Sequence, residues 1–110
     1  MSNNRFGLTP LTVEKICGVF AHHPQVEKAA LYGSRAKGNY KNGSDIDLTL
    51  IGNGLTRRDL LSIVGELDDL LLPYTIDLSL FSDLSHADLI DHIKRVGVVF
   101  YEKAPLEAKK

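Results

Sequence analysis

The chain has 110 residues, of which 44% are apolar and 25% are charged, and its formal net charge is −1. This length and apolar content suit one small domain with a single core, and the near-neutral charge argues against a broad basic surface that grips nucleic acid by its backbone. The single cysteine, Cys17, excludes an internal disulfide and is expected to pack in the core. Because we find no signal peptide and no apolar stretch long enough to cross a membrane, we expect a cytoplasmic protein.

The first predicted elements are a helix and a strand that lead into a glycine turn. Thr9 and Pro10 supply a helix cap and a first-turn proline, and apolar residues recur at helical spacing until His22-His23-Pro24 ends the run. Both histidines are assigned a structural role, because the dipole at a helix C-terminus favours partly charged imidazoles. Residues 26–32 are typical of a strand that ends at Gly33-Ser34.

The turn at Gly33-Ser34 predicts a phosphate site. Glycine adopts backbone angles closed to other residues and lets the main chain approach a ligand closely, while Ser34 adds a hydroxyl and a backbone N–H. A helical turn starting at Arg35 would direct further N–H groups at an anion. Of the two nearby tyrosines, Tyr32 is expected to pack, and Tyr40 is expected to meet a ligand or to become modified.

A polar loop over 39–43 leads to a strand that carries two acids. Successive strand residues alternate between faces, so Asp45, Asp47 and Thr49 are predicted on one face, with the two acids exposed to a cleft. The apolar residues between them take the buried face: Ile46, Leu48 and Leu50. Neighbouring carboxylates repel each other unless a cation lies between them, and oxygen ligands favour Mg²⁺ or Mn²⁺ over zinc.

A second helix follows the acidic strand. Thr56 and Asp59 have the spacing of a capping box, and an apolar face continues until Pro73 ends the helix. This helix is expected to cross over the sheet to the next strand.

The next strand, 75–80, repeats the design of the acidic one. Asp77 lies between apolar residues, as Asp47 does in the earlier strand. If the two strands pair as neighbours, Asp77 completes a triad with Asp45 and Asp47 that can hold two metal ions roughly 3.5 to 4 Å apart.

A last helix and a short strand complete the chain. Residues 85–88 are predicted to cap the helix, Gly97 to terminate it, and 98–101 to form the strand. The two histidines of the predicted helix region, His86 and His92, lack a second ligand at zinc spacing. The ends, 1–8 and 102–110, are expected to be flexible.

Together these motifs resemble the signature of the nucleotidyltransferase superfamily that includes DNA polymerase β. The signature consists of Gly33-Ser34, ten intervening residues, Asp45-Ile46-Asp47, and a later acid, Asp77, inside an apolar strand. More narrowly, the chain looks like the minimal nucleotidyltransferases, small prokaryotic proteins often encoded beside a HEPN-domain partner. The resemblance covers about residues 9–101. It implies a single α/β (α+β) domain over 1–110 with a polymerase β-like fold, a mixed β-sheet flanked by about three helices.

The resemblance also implies roles for individual residues. Gly33 and Ser34 would bind the nucleotide triphosphate. Asp45 and Asp47 would coordinate Mg²⁺, with two ions expected, and Asp77 would help hold the metal and serve as base for the attacking hydroxyl. Arg35 would either contact phosphate or form a surface ion pair.

The function implied is magnesium-dependent transfer of AMP from ATP to a hydroxyl on a HEPN-domain partner, with this chain as the antitoxin of a toxin-antitoxin pair. A homodimer or hetero-complex is expected, with no membrane association and no extended nucleic-acid binding. Two alternatives stay open: an adenylyltransferase subunit that acts on a small molecule such as an aminoglycoside, and an antitoxin without turnover that acts by binding. The three acids favour an enzyme.

Overall fold

The computed structural model describes residues 5–103, which form one four-stranded sheet and four α-helices. In chain order the elements are α1 (Pro10–Ala21), β1 (Lys28–Tyr32), α2 (Ser34–Lys37), β2 (Ile46–Ile51), α3 (Arg57–Asp69), β3 (Ile76–Leu80), a 3-10 turn (Phe81–Asp83), α4 (Ala87–Val96) and β4 (Val98–Glu102). Each helix and strand predicted from the sequence is present, and the 3-10 turn was not predicted.

The sheet is mixed, as expected. Its strand order is β3-β2-β1-β4, with β1 antiparallel to both β2 and β4 and with β2 parallel to β3. Parallel neighbours cannot be joined by a tight turn, so α3 makes the crossover from β2 to β3. The crossover brings the two acid-bearing strands side by side.

The core lies between the sheet and the pair α1 and α3. The apolar face of β2 is buried as predicted, with exposed fractions of 0% for Ile46, 0% for Leu48 and 1% for Leu50. Residues of both helices complete this core: Val13, Ile16, Val19, Phe20, Ile63 and Leu67. The fourth helix, α4, packs on β1 and brings His92 against Tyr32.

The acid-bearing face of β2 is closed beyond the acids. Thr49, which shares this face, is fully buried, and its hydroxyl accepts a hydrogen bond from the Ser79 hydroxyl at 3.0 Å. This pair of hydroxyls joins β2 to β3 beyond the acids, because Thr49 and Ser79 lie opposite each other in the register. The acidic face is therefore open at the end that carries Asp77, whose side chain is exposed.

Two helix ends differ from the sequence-based prediction. The third helix ends at Asp69 rather than at Pro73, since Leu71 adopts a left-handed conformation (φ +55°) that stops the helix first. At the start of α4 the cap residue is His86 rather than Ser85, and its side chain makes no capping hydrogen bond within the described residues. In contrast, the capping box of Thr56 and Asp59 is confirmed.

The predicted flexible ends fall partly outside the described residues, which exclude 1–4 and 104–110. At the described part of the N-terminal end, Arg5 and Leu8 exchange two backbone hydrogen bonds of 2.9 and 2.8 Å, and Leu8 is fully buried. At the other end, the Lys103 N–H donates to the Glu27 carbonyl at 2.9 Å. The described parts of both ends are thus packed on the domain.

Cys17 lies at the edge of the core rather than fully inside it. Its Sγ donates to the Phe100 carbonyl at 3.6 Å, and the side chain is half-buried against β4. Burial raises the pKa of the Cys17 thiol. A protonated thiol is a poor nucleophile, so a packing role is favoured.

The predicted structural role of the histidines after α1 has a specific contact. His23 Nε2 lies 2.7 Å from Glu66 Oε2 of α3, and this contact ties the end of α1 to α3. We expect Glu66→Ala to lower the free energy of unfolding by about 1 kcal/mol, the size of one partly exposed hydrogen bond to a charged group. Urea unfolding measures the change, with Glu14→Ala on the exposed side of α1 as the control. Equal stability of the two variants would contradict this role.

Candidate active site

The parallel pairing of β2 with β3 brings the predicted acids together. Asp47 is the register partner of Asp77, and Asp45 precedes the first residue of β2. Register partners on neighbouring strands lie on the same face, about 4.8 Å apart. The condition on which the triad depended, that the two strands are neighbours, is therefore met.

The environment of the three acids shifts the pKa of Asp47. The pKa of this carboxyl is raised, first by its burial and then by the negative charges of Asp77 and Asp45, while His92 acts in the opposite direction. Each of the first three effects disfavours an isolated negative charge on Asp47. A cation bound among the acids would relieve all of them.

The donor set fits a hard cation such as Mg²⁺, because it offers only carboxylate oxygens. In the conformation described for residues 5–103, no group of three or more His, Cys, Asp or Glu side chains is arranged to hold a metal ion. The side chains of Asp45 and Asp77 are exposed, while Asp47 is partly buried between them and the glycine turn. We regard Asp45, Asp47 and Asp77 as the residues that would hold the ion.

The glycine turn lies directly against the acids. Gly33 has φ +76° and ψ −155°, a region of backbone space that is open essentially to glycine alone. A Cβ at this position would meet the Asp47 carboxylate, so the absence of a side chain lets the turn approach the acid. Ser34 then starts the one-turn helix α2, which ends at Gly38 (φ +86°). The turn and the acids share one site, as the sequence predicted.

Arg35 has different partners from the expected ones. It is 3% exposed, and its guanidinium donates to the Phe6 carbonyl at 2.7 Å and, through Nε and Nη2, to the Ser44 carbonyl at 3.1 and 2.9 Å. The group also lies between the rings of Tyr40 and Tyr74, 5.1 Å from each centroid. Arg35 therefore forms no surface ion pair within residues 5–103, and its guanidinium donates to backbone carbonyls instead.

The contacts of Arg35 give it a positioning role. Ser44 is the residue before Asp45, so the fork of Arg35 fixes the chain where the acidic strand begins. Tyr40, which we expected to meet a ligand, instead covers one face of the guanidinium. Neither contact is visible in the sequence, since both depend on how the loop folds back.

Tyr32 and His92 complete the surroundings of the acids. Tyr32 is 8% exposed and lies opposite Asp47 in the register, as a packing residue should. Burial raises the pKa of the Tyr32 hydroxyl, and a hydrogen bond to Ser79 acts against this. His92 accepts a hydrogen bond from the Gly33 N–H at 3.2 Å. His92 has no second ligand at zinc spacing, and the sequence carries no local signal for its contact with Gly33.

The close approach of Gly33 to Asp47 predicts a strong effect of a single methyl group. Gly33→Ala should destabilise the fold by about 1 to 3 kcal/mol because of its backbone angles, and should displace the Asp47 carboxylate. Gly54→Ala is the matched control, since its φ is also positive (+80°) but its Cβ would meet nothing within 4 Å. Thermal unfolding and nucleotide binding of both variants check this. If the two variants bind nucleotide equally well, the approach to Asp47 has no part in binding.

Among the described residues, no helix is both long and apolar enough to cross a membrane. No curated protein matches this chain.

Several solved structures share the fold. One is a toxin-antitoxin complex with AMP-PNP, which matches with a TM-score of 0.67 at 20% identity over 83% of this chain and 73% of that chain. A second is a tri-AMPylated HEPN toxin of Shewanella oneidensis in complex with an MNT antitoxin, with a TM-score of 0.62 at 19% identity over 84% of this chain and 71% of that chain. A third, the toxin-antitoxin pair MntA-HepT, also has a TM-score of 0.62 at 19% identity, over 84% and 72% of the two chains.

A family model described as polymerase beta, nucleotidyltransferase matches residues 14–106, which is most of the chain. The resemblance inferred from the glycine turn and the acids is confirmed by this match. It agrees with the mixed sheet and with the pairing of Asp47 and Asp77. The chain belongs to the polymerase β nucleotidyltransferase family.

Proposed function

We propose that this protein transfers AMP from ATP to a hydroxyl of a HEPN-domain partner in a magnesium-dependent reaction, as the antitoxin of a toxin-antitoxin pair. The observation that carries the proposal is the in-register pair Asp47 and Asp77 beside the Gly33 turn. Acids alone would suit many metal sites, and a glycine turn alone would suit many anions. Their contact in one site suits the metal complex of a nucleotide triphosphate.

Each residue has a part in this reaction. Gly33 and Ser34 bind the triphosphate, and Asp45 and Asp47, helped by Asp77, would hold Mg²⁺, which would supply charge stabilisation to the phosphates. Asp77 lies at the open end of the acidic face, where an acceptor hydroxyl can approach and lose its proton to the carboxylate. A bond forms between the acceptor oxygen and the α-phosphorus, the bond from the α-phosphorus to the oxygen that bridges it to the β-phosphorus breaks, and pyrophosphate leaves. Most of the rate gain comes from positioning and charge.

Two findings on similar proteins support the choice of nucleotide and acceptor. A structural neighbour was crystallised with AMP-PNP, and another is in complex with a tri-AMPylated HEPN toxin. This chain shares their fold, and it places its acids at an open edge that an acceptor from another chain can reach. A HEPN-domain protein encoded beside this chain is therefore the partner to test.

Two labels on ATP distinguish the proposed reaction from its alternatives. We expect ³²P from the α-position of ATP, and none from the γ-position, to reach the HEPN-domain partner when Mg²⁺ is present, and unlabelled ATP to compete better than GTP, CTP or UTP. Transfer to an aminoglycoside rather than the partner would favour the small-molecule enzyme. Tight binding to the partner with no transfer of either label would favour an antitoxin that acts by contact alone.

A further inference from the structure

The backbone of Gly33 is held from two sides. On one side, where a Cβ would point, lies the Asp47 carboxylate. From α4, His92 Nε2 accepts the Gly33 N–H at 3.2 Å across 59 residues of sequence. An imidazole nitrogen that accepts a hydrogen bond carries no proton, so the ring proton of His92 lies on Nδ1. The contact is thus a directional bond to one chosen nitrogen.

The ring of His92 is itself fixed by its neighbours. It packs edge-on against Tyr32, with the ring centroids 6.2 Å apart and the ring planes at 81°. Tyr32 is buried and is the residue before Gly33. The next residue of α4, Ile93, is 6% exposed and anchors this part of the helix. His92 therefore approaches Gly33 from a rigid support, and not from a loop.

The Gly33 backbone needs such support. Its angles, φ +76° and ψ −155°, lie in a sparsely populated region that persists only when the surroundings hold it. Helix α2, which follows, has only four residues and is too short to hold the turn by itself. The bond from His92 supplies a fixed point at the residue where the strand ends and the turn begins.

We propose that His92 is a positioning residue of the nucleotide site, which acts by holding the Gly33 N–H so that the turn is already shaped for the triphosphate before it binds. This rests on the proposed function, because it concerns the same nucleotide. His92 acts through Gly33 and need not touch the substrate. Its loss should therefore weaken nucleotide binding while the acids remain in place.

Two variants with amide side chains distinguish the effect of losing the hydrogen bond from the effect of losing the imidazole ring. The glutamine in His92→Gln has a terminal amide oxygen at about the reach of Nε2 and can accept the Gly33 N–H. The asparagine in His92→Asn is one methylene shorter and cannot. His92→Leu removes the acceptor but keeps an apolar contact to Tyr32. His86→Leu, at the exposed N-cap residue of α4, is the matched control.

The dissociation constant of ATP with Mg²⁺, measured by calorimetry, is the main readout. We expect about a three- to tenfold increase for His92→Asn and His92→Leu, the equivalent of one hydrogen bond, and a value near that of the unaltered protein for His92→Gln and His86→Leu. In the ligand-free protein, the Gly33 amide resonance should move in the asparagine and leucine variants and return toward its original position in the glutamine variant.

The results separate this proposal from the proposed function. If the unaltered protein binds ATP and all His92 variants bind it equally well, or if glutamine is no better than asparagine, the positioning role is overturned while the proposed function stands. If the unaltered protein binds no nucleotide, the proposed function fails, and this role fails with it. An unchanged Gly33 amide resonance in His92→Leu overturns the hydrogen bond itself.

Discussion

Asp47→Asn is expected to reduce AMP transfer by at least about a hundredfold and, without Mg²⁺, to make the protein more stable. The first effect follows because even a residue that only supports a metal ligand costs about 10- to 100-fold in activity when it is changed, and Asp47 is the acid that lies against both Gly33 and Asp77. The second follows because burial and two negative neighbours oppose the charge on Asp47. Asparagine keeps the shape and removes that charge.

The same electrostatics fix the sign of the pH dependence. The pKa of Asp47 is raised in the folded protein, so the folded state holds this proton at pH values where the unfolded chain has lost it. In the absence of metal, stability therefore falls as the pH rises from the ordinary aspartate range through the raised pKa of Asp47. The amide introduced by Asp47→Asn does not titrate in this range, so the fall should be smaller for that variant.

Thermal unfolding between about pH 3 and pH 8, with and without Mg²⁺, measures these effects. Mg²⁺ should raise the melting temperature of the unaltered protein and have little effect on Asp47→Asn, because a ligand stabilises only the state that binds it. Asp88→Asn, an exposed acid in the first turn of α4, is the control and should neither gain stability nor lose activity. A metal-free Asp47→Asn protein that is less stable than the unaltered one would contradict the electrostatic account.

Arg35→Met is expected to destabilise the fold by about 3 kcal/mol, a large part of the stability of a domain of this size. Methionine retains an apolar stem, but the three hydrogen bonds to the Phe6 and Ser44 carbonyls are lost. The contacts of the charged group with Tyr40 and Tyr74 are lost as well. The stability of Arg35→Lys should lie between those of Arg35→Met and the unaltered protein, because an ammonium group keeps the charge but cannot form the fork to Ser44.

Urea unfolding measures the loss, and Lys37→Met on the exposed side of α2 is the matched control. Because Ser44 precedes Asp45, Arg35→Lys should also need a higher Mg²⁺ concentration for half-maximal activity under conditions where it is fully folded. If Arg35→Met is as stable as Lys37→Met, the buried contacts of Arg35 carry little energy. If Arg35→Lys is stable but binds nucleotide poorly at saturating Mg²⁺, a direct phosphate contact is favoured instead.

The parts of this protein that follow from local patterns were predictable from the sequence. Alternation along β2 placed Asp47 on the face opposite to that of the buried Ile46 and Leu48. The same pattern around Asp77 indicated a second strand of the same kind. The capping box at Thr56 needs only four consecutive residues and was found for the same reason. Such features depend only on residues that are close together in the sequence, so the sequence alone is enough to predict them.

The parts that failed depend on residues distant in the chain. Arg35 was expected either at a phosphate or in a surface ion pair, and the surface ion pair is wrong. Arg35 is buried and donates to Phe6, 29 residues before it, and to Ser44, where the loop returns. His92 reaches Gly33 from a helix 59 residues later, and no periodicity indicates which residue of that helix will face the turn. The burial of Thr49 was not predicted either, because alternation gives the face of a strand but not what covers that face.

We propose that the pair Asp47 and Asp77, beside the Gly33 turn, catalyses transfer of AMP to a protein. The most direct test is the intact mass of the HEPN-domain partner after co-expression with this chain or with its Asp77→Asn variant. We expect one or more added adenylate groups with the unaltered chain and none with the variant, although both chains purify with the partner. An unmodified partner bound to the unaltered chain, or equal modification by both chains, would contradict it.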